Sequence, residues 1–168
     1  MINKRRAFIV GIKGTKLSNR EILFLKTYKP WGIILFSRNI KTISQTQKLT
    51  ELIKKIFHDK HYPIIIDEEG GKVTRLKKFI DNSIFTADFF GKLFTKNKKK
   101  FNIYFDVYIK QIANLLNILG ININSVPVLD VRRKITNKII GNRSYSSNAN
   151  VVSKLGEFCI SNFHKQRI

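Results

Sequence analysis

The stretch Pro63-Ile-Ile-Ile-Asp-Glu-Glu-Gly-Gly-Lys-Val-Thr-Arg75 decides how this chain folds. Three consecutive isoleucines describe a strand buried on both faces, as in a parallel sheet. The run then stops at three carboxylates, two glycines and a basic residue. Acidic groups beside a hydrophobic strand are costly unless they meet water, a ligand or a cation. In parallel α/β folds such groups gather at the C-terminal ends of strands, where ligands bind.

Working outward, the same alternation recurs. Ala7–Ile12 reads as a first strand, and Ser18-Asn-Arg-Glu21 matches a capping box that opens a helix ending before Pro30. Gly32–Phe36 reads as a second strand running into Ser37-Arg38-Asn39. Ile43, Leu49, Leu52, Ile53 and Ile56 lay an apolar stripe on a helix over about residues 43–58. Beyond the central stretch, residues 76–96 show no clean period and read as a loop with short helical pieces. A long helix follows over roughly 98–119, stopped by Gly120. Residues 121–131 hold a fourth strand, with Val126–Leu129 leading into Asp130. Asn148 or Asn150 caps a last helix. The sum is βαβαβαβα, a parallel α/β protein in one domain.

Four βα units fill the 168 residues, whereas a (β/α)8 barrel takes about 250 residues. The expectation is therefore a small open sheet or half of a barrel. A half barrel leaves two sheet edges open to self-association.

The net charge of +21 invites a polyanionic partner. The basic residues are scattered, however, and abundant Lys, Ile and Asn suggest compositional bias. No aromatic-interleaved RNA motif accompanies them, so nucleic acid is disfavoured. One cysteine, Cys159, rules out an internal disulfide and suits a reducing compartment. No apolar segment approaches the roughly 18 residues of a membrane helix. The cytoplasm is the expected location. The three histidines show no ligand spacing, and no dinucleotide or phosphate-loop motif is present. No metal or cofactor is expected.

Asp67, at a strand end, can accept hydrogen bonds from neighbouring hydroxyls of a sugar. Gly70 and Gly71 allow a sharp turn and close approach of a ligand, and Arg75 is within reach of the same ligand. A structural ion pair at the junction is the alternative on these residues alone. Glu68 and Glu69, as neighbours on an extended segment, should point apart, so at most one faces the pocket with Asp67 while the other is paired behind it. Arg143, after the fourth strand, can meet a ligand through its planar fork. Asp130 and Arg38 end strands in the same way, though loop bracing suits both better.

Four motifs in order, Gly32-Ile-Ile-Leu-Phe-Ser-Arg-Asn39, Ile66–Arg75, Val126-Pro-Val-Leu-Asp-Val131 and Ile140-Gly-Asn-Arg-Ser-Tyr145, resemble glycoside hydrolase family 3. The resemblance is to the N-terminal part of the single-domain bacterial β-N-acetylhexosaminidases of peptidoglycan recycling, with Lys72 where Arg is commoner. It implies the first half of a TIM (β/α)8 barrel and retaining chemistry on terminal β-linked N-acetylglucosamine, carried by a glycoside or muropeptide. It implies that Asp67, Arg75 and Arg143 hold the sugar.

The family continues with a Lys-His-x-Pro-Gly-His segment, a His–Asp acid/base pair and a later aspartate nucleophile. These 168 residues stop before that segment. The expectation is a family 3 N-terminal domain over 1–168, truncated before its catalytic loop and inactive alone. The alternative is a non-catalytic sugar-binding half barrel that pairs with itself or a second chain.

Overall fold

The computed structural model describes residues 5–135 and 137–168, which divide into two compact units. The first runs to Asp67 and takes in Leu115–Asn124. Its sheet holds β1 (Arg6–Gly11), β2 (Pro30–Leu35), β3 (Ile64–Ile66) and β4 (Ile123–Asn124), all parallel and in that spatial order. Each strand lies beside its predecessor. Doubly wound open sheets reverse strand order at a switch point, whereas barrel strands keep adding in one direction. The order here is of the barrel kind.

The isoleucine run is the centre of this sheet. Ile64, Ile65 and Ile66 are all buried, opposite Ile33, Ile34 and Leu35 of β2. Ile65 and Ile66 are opposite Ile123 and Asn124 of β4. Asn122 ties the two strands further: its Oδ1 accepts from the Ile64 amide at 2.8 Å, and its Nδ2 donates to the Tyr62 carbonyl at 3.1 Å. β1 is mostly exposed, with Ile9 at 49 %. Among the described residues β1 and β4 each have one strand neighbour.

Two helices accompany the strands. α1 (Asn19–Tyr28) begins with the expected box: the Glu21 amide donates to Ser18 Oγ, and the Ser18 amide donates back to Glu21 Oε2 at 2.8 Å. α2 (Ile43–Ile56) is capped by Thr42 and buries Thr46, Leu49, Thr50 and Ile53. That face differs from the expected stripe, since Ile43 and Leu52 are exposed. The two threonines fill the inner positions because their hydroxyls find acceptors, Thr46 on Thr42 O at 2.9 Å and Thr50 on Leu119 O at 2.9 Å.

The second unit comprises Glu68–Asn114 and Ser125–Ile168. It contains α3 (Ala87–Lys96), α5 (Ala149–Lys165) and all but the last residues of α4 (Lys98–Ile118). Aromatic rings make its core. Phe90 lies 4.3 Å from Phe105, and Phe158 of α5 lies 5.3 Å from Phe101 and 5.6 Å from Phe105. Asn148 caps α5 by accepting from the Asn150 and Val151 amides.

Two sequence expectations are corrected. The short helical pieces expected within the loop over 76–96 are in fact one longer helix, the ten-residue α3, capped by Thr86. Its buried residues are Asp88, Phe90 and Gly91, so its inner face is only partly apolar. The fourth strand is two residues long and ends at Asn124, before Val126–Leu129. Pro127 has no amide hydrogen to give a ladder. Asp130 consequently does not end a strand. It is exposed, and its carbonyl accepts from Ser144 Oγ at 2.6 Å, which is loop bracing. No helix among the described residues is long and apolar enough to cross a membrane.

Candidate functional site

Asp67 follows directly on β3 and is half-buried, as its place at the strand end required. It ends the first unit's longer segment. The residues after it open the second, and they form a dense polar brace.

Glu68 is almost wholly buried, at 1 % exposure. Its carboxylate accepts from at least four donors. Oε1 accepts from Thr74 Oγ1 at 2.8 Å and Asn82 Nδ2 at 2.6 Å. Oε2 accepts from the amides of Arg75 at 2.6 Å and Leu76 at 2.8 Å. A buried carboxylate is tolerated only when so satisfied. Glu68 thereby fixes the backbone that carries Arg75, itself half-buried.

Glu69 meets Arg143. Arg143 Nε donates to Glu69 Oε2 at 2.8 Å and Nη2 donates to Oε1 at 2.7 Å, a bidentate pair joining residues 74 apart in sequence. Arg143 closes a short 3-10 turn, Gly141–Arg143. The next residue is anchored too, since Ser144 Oγ donates to the carbonyls of Asp130 and Ser146.

The glycines have a definite reason here. Gly70 and Gly71 have φ of +81° and +65°. A Cβ on Gly70 would lie 2.3 Å from the Phe85 carbonyl oxygen and 2.7 Å from the Tyr108 hydroxyl. Only glycine lets the chain turn this tightly against α4.

Behind the brace is a cavity of about 30 Å³ lined by Glu68, Glu69, Tyr108, Arg143, Tyr145 and Cys159, among others. It is far smaller than a sugar-binding pocket, which takes roughly 300 Å³ or more, so it is the interior of the brace. Burial pushes the Tyr108 and Tyr145 hydroxyls well above the ordinary tyrosine range. It pushes the Cys159 thiol up to about 12. These groups are neutral at physiological pH. Cys159 is a buried structural thiol.

Both acids after Asp67 are among the residues that line this cavity, and their carboxylates go to different partners, Glu68 to Thr74, Asn82 and the Arg75 and Leu76 amides and Glu69 to Arg143. β3 ends at Ile66, and Gly70 and Gly71 beyond it have positive φ. The pairing expected for one of them holds for both. Sequence reasoning singled out neither Asn82 nor Tyr108, and it met Tyr145 only as the end of a motif, because their places beside Glu68 and Glu69 come from the fold. Arg38 braces a loop as expected, with Nε donating to the Ile12 carbonyl at 3.0 Å. Among the described residues no group of three or more His, Cys, Asp or Glu could hold a metal ion.

Comparison with known proteins puts this geometry in context. Residues 7–168 match the model described as "Glycosyl hydrolase family 3 N terminal domain". The beta-hexosaminidase of Hydrogenovibrio crunogenus is 33% identical over 149 residues, covering 89% of this chain and 41% of that protein. That of Haemophilus ducreyi is 33% identical over 151 residues, covering 89% and 42%. The crystal structure of NagZ from Neisseria gonorrhoeae in complex with N-trifluoroacetyl-D-glucosamine matches with a TM-score of 0.86 and 27% identity, over 96% of this chain and 48% of that one. The chain thus spans under half the length of these relatives, and its parallel α/β fold is that of the first half of their barrel. With the family's model matched from residue 7 to residue 168, the chain belongs to the glycosyl hydrolase family 3 N-terminal domain family.

Proposed function

We propose that this chain is the sugar-holding part of a retaining β-N-acetylhexosaminidase, with Asp67, Arg75 and Arg143 as its contacts to a terminal N-acetylglucosamine. The observation that carries the reading is the brace itself. Two buried or half-buried carboxylates, Glu68 and Glu69, hold the Arg75 backbone and the Arg143 guanidinium in place. Pre-set charged donors of this kind suit sugar recognition, because little ordering remains to oppose binding. The beta-hexosaminidase relatives, and the sugar analogue bound by the Neisseria protein, support the substrate class. Peptidoglycan fragments as substrate and the cytoplasm as compartment complete the proposal, the latter in keeping with a free, buried Cys159.

Retaining hydrolysis needs an acid/base and a nucleophile across the scissile bond. The family resemblance puts both outside these 168 residues, so the polypeptide alone is proposed to bind without turnover. N-Acetylglucosamine has about 15 non-hydrogen atoms, and about 0.3 kcal/mol for each gives a Kd near 1 mM. Calorimetric titration of the purified chain should give saturable heat in that range, lost in Asp67→Ala. Flat titrations at tens of millimolar sugar would sink the reading. A chromogenic β-N-acetylglucosaminide should show no release above background, and normal turnover would contradict the division between holding and cutting.

One observation favours a second reading. β1 and β4 have open sides among the described residues, so the chain could complete its sheet with a copy of itself or with a second half chain. Size exclusion over a concentration series distinguishes the two, because self-pairing predicts an apparent mass of two chains.

A further inference from the structure

We propose that Glu69 is the positioning residue of the site, setting the plane of the Arg143 guanidinium that the sugar meets. The inference rests on the sugar-holding role of Arg143 given above. Both oxygens of Glu69 are committed to Arg143, at 2.8 and 2.7 Å, and its side chain is only 10 % exposed against 25 % for Arg143. The carboxylate is therefore the fixed member and the guanidinium the more open one.

Glu69 is itself immobilised. Its amide donates to the Val73 carbonyl at 3.0 Å, and the next residue is the glycine wedged against Phe85 and Tyr108. On the other side, the Arg143 amide donates to the Ile140 carbonyl at 2.7 Å. A planar fork gripped through Nε and Nη2 has no remaining freedom about its last torsions. Whatever Arg143 offers a ligand is offered in one orientation. Glu69 would act on the sugar only through Arg143.

A double-mutant cycle on sugar affinity separates positioning from simple bracing. N-Acetylglucosamine is titrated into the full chain and into Glu69→Gln, Arg143→Ala and the double variant, with thermal midpoints recorded for each. The expected result is about a tenfold loss for Arg143→Ala, a similar loss for Glu69→Gln, and no further loss in the double variant. Glu69→Gln binding like the unaltered chain while Arg143→Ala is weakened would overturn the proposal and leave the sugar-holding reading intact. Losses that multiply in the double variant would overturn it as well. No binding by the unaltered chain would overturn the reading and this inference together. If Glu69→Gln melts below the assay temperature, Glu69→Asp replaces it. That variant keeps the charge and shortens the reach by one methylene, and folded Glu69→Asp with undiminished affinity would equally contradict the proposal.

Discussion

Three consecutive carboxylates divide the tasks at the strand end. Asp67 stands at the end of β3, Glu68 is buried under at least four donors, and Glu69 grips Arg143. Replacing Glu68 by Ala would leave the Leu76 amide and Asn82 amide group buried without an acceptor. A loss of about 3–5 kcal/mol is expected in denaturant unfolding. Thr74→Ala removes one neutral donor, and about 1 kcal/mol is expected. Cys159 provides a pH test. Burial pushes its thiol from 9.0 up to about 12, with Tyr145 as a hydrogen-bonding neighbour. The folded state holds the proton that the unfolded chain releases near 9, so this contribution is intact below 9 and is lost as pH rises toward 12. The denaturation midpoint should fall across that window, less steeply in Cys159→Ala, and the native thiol should resist alkylation at pH 8. A flat midpoint from 9 to 11 would contradict the burial argument. The acids themselves were legible in the sequence. Their partners were not, because Arg143 lies 74 residues away and only the fold brings it to Glu69.

Among the elements, legibility followed how local the signal was. Ser18 and Glu21 announce α1 within four residues, and Ile64–Ile66 announce a strand buried on both faces. β4 and α3 were read poorly because tertiary contacts decide them. β4 is stitched to β3 by Asn122 rather than by an apolar run, and α3 turns Asp88 and Gly91 inward. Asp88 is paired there with the cations of Lys92 at 2.6 Å and Arg132 at 2.7 Å. Although burial pushes its carboxyl up, hydrogen bonds from these two cations outweigh that and hold it below the usual range. Gly91 gives the test at this scale. A Cβ there would lie 1.8 Å from the Tyr145 carbonyl oxygen, a clash with backbone that no rotamer relieves. Gly91→Ala should therefore destabilise the chain by about 3 kcal/mol or more. Gly14→Ala, with nothing within 4 Å of the added methyl, should stay within about 0.5 kcal/mol of the parent. Equal stabilities for the two variants would show that α3 does not pack as described.

For the whole molecule, the order of motifs carried more than composition did. A net charge of +21 with scattered basic residues gave no partner. The succession of strand ends at Phe36, Asp67 and the loop to Arg143 pointed to a family whose model matches residues 7–168. The half-length character was also visible, since four βα units cannot close a barrel and the chain covers 41–48% of the relatives described above. What the sequence could not convey was that the acidic cluster is mostly an internal brace. The central claim is that Arg75 and Arg143 touch an N-acetylglucosamine while other arginines do not. Side-chain Nε–H resonances of the chain labelled with ¹⁵N-arginine, followed as N-acetylglucosamine is added, test it directly. Arg75 and Arg143 should shift together and saturate at a common millimolar concentration, while Arg38, tied to the Ile12 carbonyl, stays unmoved. Resonances of Arg75 and Arg143 that remain in place at saturating sugar, or that move no more than that of Arg38, would contradict the account.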